Sequence, residues 1–290
     1  MFQNACRKAQ LFTHPVMMPM RFFDKTTDVN VGTFIVINDQ GWVLTAAHII
    51  QGLLVQEEHK NLIENFTQRS NEIASNTKIS APQRKRALKS LKANPKWISD
   101  INVTWGPFGK SIIQFMFNKM ADVAVGQLQD FDPTSISEYP TFKAPQDLSI
   151  GTSLCRMGFP FNHYDVKYDD QSKKFEFPTP PVATFFVNEG IYSRNINVGS
   201  TPDGKPISWI ETSSAGLRGQ SGGPVFDAEG RVWGIQSNTG SYPLGFEIEN
   251  ADKKKRSIIE ASQILHVGRA THPETLINFL TENKIDFQSS

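Results

Sequence analysis

Gly219-Gln220-Ser221-Gly222-Gly223-Pro224 is the stretch that decides the reading of this chain. A serine set among glycines can sit at a tight turn with its hydroxyl presented, while neighbouring backbone N–H groups stay free to receive negative charge. A serine hydroxyl is a weak nucleophile near neutral pH and needs a base beside it. Histidine, with an ordinary pKa of about 6.5, suits that task. A buried carboxylate then holds the histidine in the correct tautomer. Upstream of Ser221 the chain offers Thr45-Ala46-Ala47-His48 and, further on, Ala121-Asp122-Val123-Ala124-Val125. Taken singly, each has a plainer reading: His48 as a packed or capping histidine, Asp122 as a turn cap, the glycine-rich stretch as a loop.

Outward from these residues the texture is that of short strands. Gly32-Thr33-Phe34-Ile35-Val36-Ile37 and Trp42-Val43-Leu44-Thr45 are β-branched and aromatic runs joined by Asn38-Asp39-Gln40-Gly41. That pattern predicts a hairpin, with His48 just past its second strand. Strand-like segments recur at Ile101–Trp105, Ile112–Phe117, Ser153–Gly158, Val182–Val187, Gly190–Ser193 and Ile207–Thr212. Val225–Ile235 predicts another hairpin, turning at Ala228-Glu229-Gly230. Many short strands between turns argue for an all-β sandwich or barrel.

Residues 51–100 break this texture. They are rich in Glu, Gln, Lys, Arg and Asn, with Leu53, Leu54, Leu62, Ile63, Phe66 and Ile73 spaced as a helix face. A second short helix is predicted from Pro82 to Leu91. Residues 1–25 show no period and are expected to form a tail or a packed N-terminal arm. A C-terminal helix over about 272–283 has Leu276, Ile277, Phe279 and Leu280 for docking, and Asp252-Lys253-Lys254-Lys255-Arg256 reads as a surface loop.

The composition narrows the function classes. With 39% hydrophobic and 20% charged residues the chain is an ordinary globular one. A net charge of +1 argues against a large nucleic-acid surface. No apolar run reaches the length of a membrane span, and the first 30 residues lack the apolar stretch of a secretory signal. No zinc, phosphate-loop or dinucleotide pattern appears, so no cofactor and no metal are expected. Only two cysteines are present, Cys6 and Cys155. That scarcity fits a reducing, cytoplasmic setting and argues against a bridge between them.

The order His48, Asp122, Ser221, each with its flanks, resembles the trypsin-like (chymotrypsin-fold) serine peptidases. The resemblance leans toward the HtrA/Deg-type and related bacterial-style members: Gly158-Phe159-Pro160, Gly190-Ile191-Tyr192-Ser193, Glu211-Thr212 and Gly234-Ile235-Gln236-Ser237 are similar to segments of those proteins. It covers roughly residues 30–50 and 120–240 and leaves out the 51–100 insert. It implies a chymotrypsin-like double β-barrel peptidase domain over residues 26–290. The N-terminal barrel is expected over about 26–140 and the C-terminal barrel over about 141–270. Only 69 residues follow Ser221, which leaves no room for a PDZ domain.

The same resemblance implies catalytic roles for His48, Asp122 and Ser221, and an oxyanion hole from the N–H groups of Gly219 and Ser221. It implies a substrate groove touched by Ala215, Ser237 and Thr239. Ser237 either bonds Asp122 or is a simple strand-end serine. Gln220 stands where secreted relatives carry the aspartate that pairs with a new N-terminus, so activation by that route is not expected. No acidic residue falls near the implied pocket, and a small or medium apolar residue is the expected preference. The partner implied is a polypeptide substrate. The 51–100 insert, with Arg84, Lys85, Arg86, Lys89, Lys92 and Lys96, is either a solvated helical face or a dock for a regulatory protein. The rival to a peptidase is a catalytically silent binding module on the same fold.

Overall fold

Strands that are apolar at every position must be covered on both faces, because successive side chains point to opposite sides. Phe34 and Val36 belong to one core cluster with Val43 and Ala124. Ile35 and Ile37 belong to another with Leu44, Val123 and Val125. The first cluster fills the N-terminal half. The second continues into the C-terminal half through Cys155, Met157, Phe226 and Ile235, so it cements the two halves together.

The computed structural model describes residues 1–109, 112–146, 148–244 and 264–290. The Asp252–Arg256 segment lies outside the described residues. The first sheet takes β1 (Thr13–Phe22), β2 (Thr27–Val36), β3 (Trp42–Thr45), β4 (Ile98–Ile101), β5 (Thr104–Trp105), β6 (Ile112–Asn118) and β7 (Val123–Leu128). Its order is β4-β1-β2-β3-β7-β6, with β5 on β1. After β8 (Thr141–Phe142) the second sheet is built from β9 (Ser153–Gly158), β12 (Phe186–Ser200), β13 (Pro206–Thr212), β14 (Pro224–Phe226), β15 (Val232–Pro243) and β16 (Ile264–Thr271), while β10 (Lys167–Asp169) and β11 (Lys174–Glu176) pair with each other in a separate two-stranded sheet. The ladder β14-β9-β12-β13-β16-β15 closes on itself because β14 also pairs with β15. The molecule is a chymotrypsin-like fold of two curled sheets with helical additions.

Several expectations change in the structure. Residues 1–25 are packed rather than a tail, and they carry regular structure that the sequence did not show: Gln3–Phe12 is a helix, α1, and Thr13–Phe22 is an interior strand of the first sheet. Ala5, Ala9 and Phe12 of α1 are buried against the second half, which is why the N-terminal residues have a fixed place. Val182–Val187 and Gly190–Ser193 are not two strands, since one strand runs from Phe186 to Ser200.

The helical insert comprises α2 (Ala47–Ser75) and α3 (Ala81–Ser90). A capping box at Ser80 and Gln83, with Pro82 in the first turn, sets the start of α3. The long α2 is mostly solvated, yet it is tied down: Phe66 packs edge-on against Phe23 and Trp97, and His59 Nδ1 accepts the Ile98 N–H at 2.9 Å. The C-terminal helix α4 (Pro273–Glu282) buries Leu276, Phe279 and Leu280 in the shared core. Cys6 and Cys155 are free thiols, and burial pushes Cys155 up to about 12. None of the described helices is long and apolar enough to cross a membrane.

Candidate active site

Strand β3 ends at Thr45 and α2 begins at Ala47, so His48 lies in the first turn of the helical insert. Asp122 comes immediately before β7 with φ of 52°. That left-handed conformation is uncommon for a residue with a side chain and is tolerated best by Asn and Asp. It aims one carboxylate at two groups of one residue. Asp122 Oδ1 accepts the His48 backbone N–H at 2.9 Å, and Oδ2 pairs with His48 Nδ1 at 2.8 Å. The Ser237 hydroxyl also donates to Oδ2, at 2.5 Å. A carboxylate facing Nδ1 favours the tautomer with the proton there, leaving Nε2 as an acceptor. The Asp122 side chain is 13% exposed while that of His48 is 42% exposed, so the pair is anchored inside and open outside.

Ser221 sits where the sequence crowds backbone against backbone. Its carbonyl accepts the Thr33 N–H at 2.8 Å, and the Gly222 N–H donates to Gln236 O. Gly222 has φ of 83°, and a Cβ there would lie 2.1 Å from Thr33 O, so no other residue fits. The preceding turn is Leu217-Arg218-Gly219-Gln220, closed by Gln220 N–H to Leu217 O at 2.9 Å. Gly219, third in that turn with φ of 100°, gives it the type II form. The Gly219 carbonyl is fixed by the Thr33 hydroxyl at 2.7 Å and by the Phe159 N–H at 3.1 Å. Among the described residues, neither the Gly219 nor the Ser221 N–H has a protein acceptor. Two free donors flank the hydroxyl.

The sequence singled out Gln220 only for what it lacks. In the structure it is fully buried and staples the turn. Its Oε1 accepts the Leu217 N–H at 2.9 Å, its Nε2 donates to Asn188 Oδ1 at 2.7 Å, and Asn188 Nδ2 donates to Ala215 O at 2.9 Å. Two neutral amides thus do with hydrogen bonds what an ion pair would do elsewhere.

His48, Asp122, Ser221, Ser237 and Thr239 share one cavity of about 750 Å³. Ala215 is not among its lining residues, because its carbonyl is turned to Asn188; Gly216, Leu217 and Arg218 take that place. Among the other lining residues outside the expected set are Ile50, Gln51 and Leu54, which with Ala47 come from the first turns of α2. Their spacing from Ala47 follows one helix face, a signal present in the sequence once the helix is known to begin before His48. The Ser221 hydroxyl donates to Ser237 O at 3.2 Å and, among the described residues, makes no bond to His48. None of the described His, Cys, Asp and Glu residues cluster as metal ligands.

Two curled sheets with this groove between them define a chymotrypsin-like peptidase fold. The chain belongs to the trypsin-like peptidase domain family, whose model matches residues 32–235. Among solved structures it is similar to the HtrA-type protease AlgW, in a serine-to-alanine variant with a tripeptide, at a TM-score of 0.50 and 15% identity. The match covers 99% of this chain and 64% of that one, so this chain spans less than two thirds of that protein's length. At such identity the likeness is one of fold. A comparison with curated proteins gives no match.

Proposed function

We propose that this protein is a serine endopeptidase acting on polypeptides through an acyl-enzyme. Ser221 Oγ attacks the carbonyl carbon of the scissile bond as its proton passes to His48 Nε2. The carbonyl oxygen takes the negative charge against the N–H groups of Gly219 and Ser221, donors typically worth about 10²–10³ in rate each. Asp122 stabilises the imidazolium and keeps it oriented. The C–N bond then breaks, and the leaving amine takes the proton from His48. Water next attacks the acyl ester with His48 as base, releasing the new carboxyl terminus and restoring the Ser221 hydroxyl.

The observation that carries this reading is the double grip of Asp122 on the backbone and ring of His48, in the same cavity as Ser221. The attack requires Ser221 Oγ to leave Ser237 O for another staggered rotamer toward Nε2. That same hydroxyl orientation favours the second reading, a silent module that binds peptides without cleaving them. The wall supplied by α2 gives a regulator bound at the insert a direct route to the groove. Labelling with a fluorophosphonate decides between them. Wild type is expected to label, with labelling lost in Ser221→Ala and His48→Ala; folded wild type that does not label refutes the peptidase reading.

A further inference from the structure

The following rests on the peptidase reading and concerns which residue precedes the cleaved bond. Beside Ser221 the cavity is bounded by Gly216-Leu217-Arg218 on one side and Gln236-Ser237-Asn238-Thr239 on the other. A carbonyl group held between Ser221 Oγ and the two free N–H groups sends the side chain of its own residue into that space.

The space is bridged twice. At its mouth Thr239 Oγ1 donates across to Gly216 O at 2.7 Å. Deeper in, Gln236 lies so close to Gly216 that a Cβ there would be 2.1 Å from Nε2. Little volume remains between the two segments for a large side chain.

The floor is also chemically specific. Gln236 is 2% exposed and its Nε2 donates to Asn238 O at 2.9 Å. That bond fixes the orientation of the amide, so the group left over is the acceptor, Oε1. It is buried and has no partner among the described residues. A buried acceptor without a donor is costly to keep, and a ligand hydroxyl would satisfy it. Arg156, 1% exposed, holds the backbone just before Gly216, donating through Nη1 to Ser214 O at 2.6 Å and through Nη2 to the Thr212 hydroxyl. No carboxylate pairs with it among the described residues. A buried cation close to that segment disfavours a second cationic side chain in the neighbouring pocket.

We propose that Gln236 and Thr239 restrict this pocket to small residues and that Gln236 Oε1 selects those carrying a hydroxyl, so that cleavage follows Ser or Thr. Alanine is accepted less well because it leaves Oε1 unpaired. Leucine and phenylalanine are shut out by the Thr239 and Gln236 bridges, and lysine and arginine by charge as well. The preference thus moves from small apolar residues to small hydroxylated ones.

The test is a set of otherwise identical peptides with Ser, Thr, Ala, Leu, Phe or Lys before the scissile bond. It is read as kcat/KM in wild type, Gln236→Leu and Thr239→Gly. Wild type is expected to favour Ser over Ala by about tenfold or more, the discrimination a site built for a hydroxyl gives. Gln236→Leu should bring the Ser-to-Ala ratio to near one, and Thr239→Gly should raise the Leu-to-Ala ratio at least tenfold. Wild type that cleaves after Phe or Lys as fast as after Ser overturns the proposal, even where Gln236→Leu does not fold. Fluorophosphonate labelling separates the two failures. A protein that labels but lacks the Ser preference, or cleaves no Ser peptide, refutes the pocket assignment alone. One that neither labels nor cleaves refutes the peptidase reading along with it.

Discussion

Replacing Gln220 with alanine tests whether the turn before Ser221 is held by the buried amide pair. The side chain is fully buried, and Gly158 packs so closely that a Cβ on it would be 2.6 Å from Gln220 Cα. The site therefore has little room to collapse. Truncation leaves the Leu217 N–H and Asn188 Oδ1 without partners. Both partners are only half-buried, so at the lower end of roughly 1–3 kcal/mol for each stranded group the expected loss is about 2 kcal/mol. For a domain of this size that corresponds to a fall in Tm of about 4 °C or more. Because the same residue closes the turn that aims the Gly219 N–H, the rate of fluorophosphonate labelling should fall about 10-fold to 100-fold. Gln220→Glu sharpens the test. The carboxylate still accepts from Leu217, but facing Asn188 it must meet an oxygen, and flipping Asn188 only moves that clash to Ala215 O. Both variants should lose stability and labelling together. A Gln220→Ala protein with unchanged Tm and labelling rate would refute the reasoning, since an amide that holds nothing can be removed without effect.

Two further outcomes follow from groups away from the turn. His14 packs against the rings of Phe34 and Phe108, and burial pulls its pKa from 6.5 down to about 4. The unfolded chain then binds more protons than the folded one between these values. Its contribution, about 3 kcal/mol at most, is fully present above pH 6.5 and is lost as pH falls toward 4. His14→Leu should flatten that part of the urea-denaturation profile, and an identical slope would show that His14 is not responsible. Leu54 is 49% exposed on the α2 wall of the cavity. Leu54→Glu should lower kcat/KM for extended peptides with apolar residues by about threefold to tenfold, more than it lowers labelling by a small fluorophosphonate. Equal effects on both would remove α2 from the groove.

The strands around the site were legible because their runs are rich in β-branched and aromatic residues, as Trp42–Thr45 is. The positions of His48, Asp122 and Ser221 were legible because each sits at a boundary that local residues define. The first strand was hidden by Pro15 and Pro19, which ordinarily argue against a strand interior. The register explains the exception. Pro15 stands opposite Thr33 and Pro19 opposite Val29, and the Thr33 N–H is directed away to Ser221 O. These are non-hydrogen-bonded pairs with β2, so the missing N–H groups face the other edge. There β5 pairs with Val16 and Met17 and β4 with Met20–Phe22, leaving both prolines out of those pairings. The Gln220–Asn188 staple and the Thr239–Gly216 bridge were hidden for a different reason. Each joins residues that only the closed ladder of the second sheet brings together.

Thr33 belongs to the first sheet, yet its N–H holds Ser221 O and its hydroxyl holds Gly219 O in the second. The turn that presents Ser221 is therefore assembled by both halves of the chain. A second half folded alone would have the glycines and the serine but not the two bonds that set their geometry. Any opening of the groove that draws β2 away would also slacken the turn. Under the proposed peptidase function, the reactivity of Ser221 is conditional on docking of the halves.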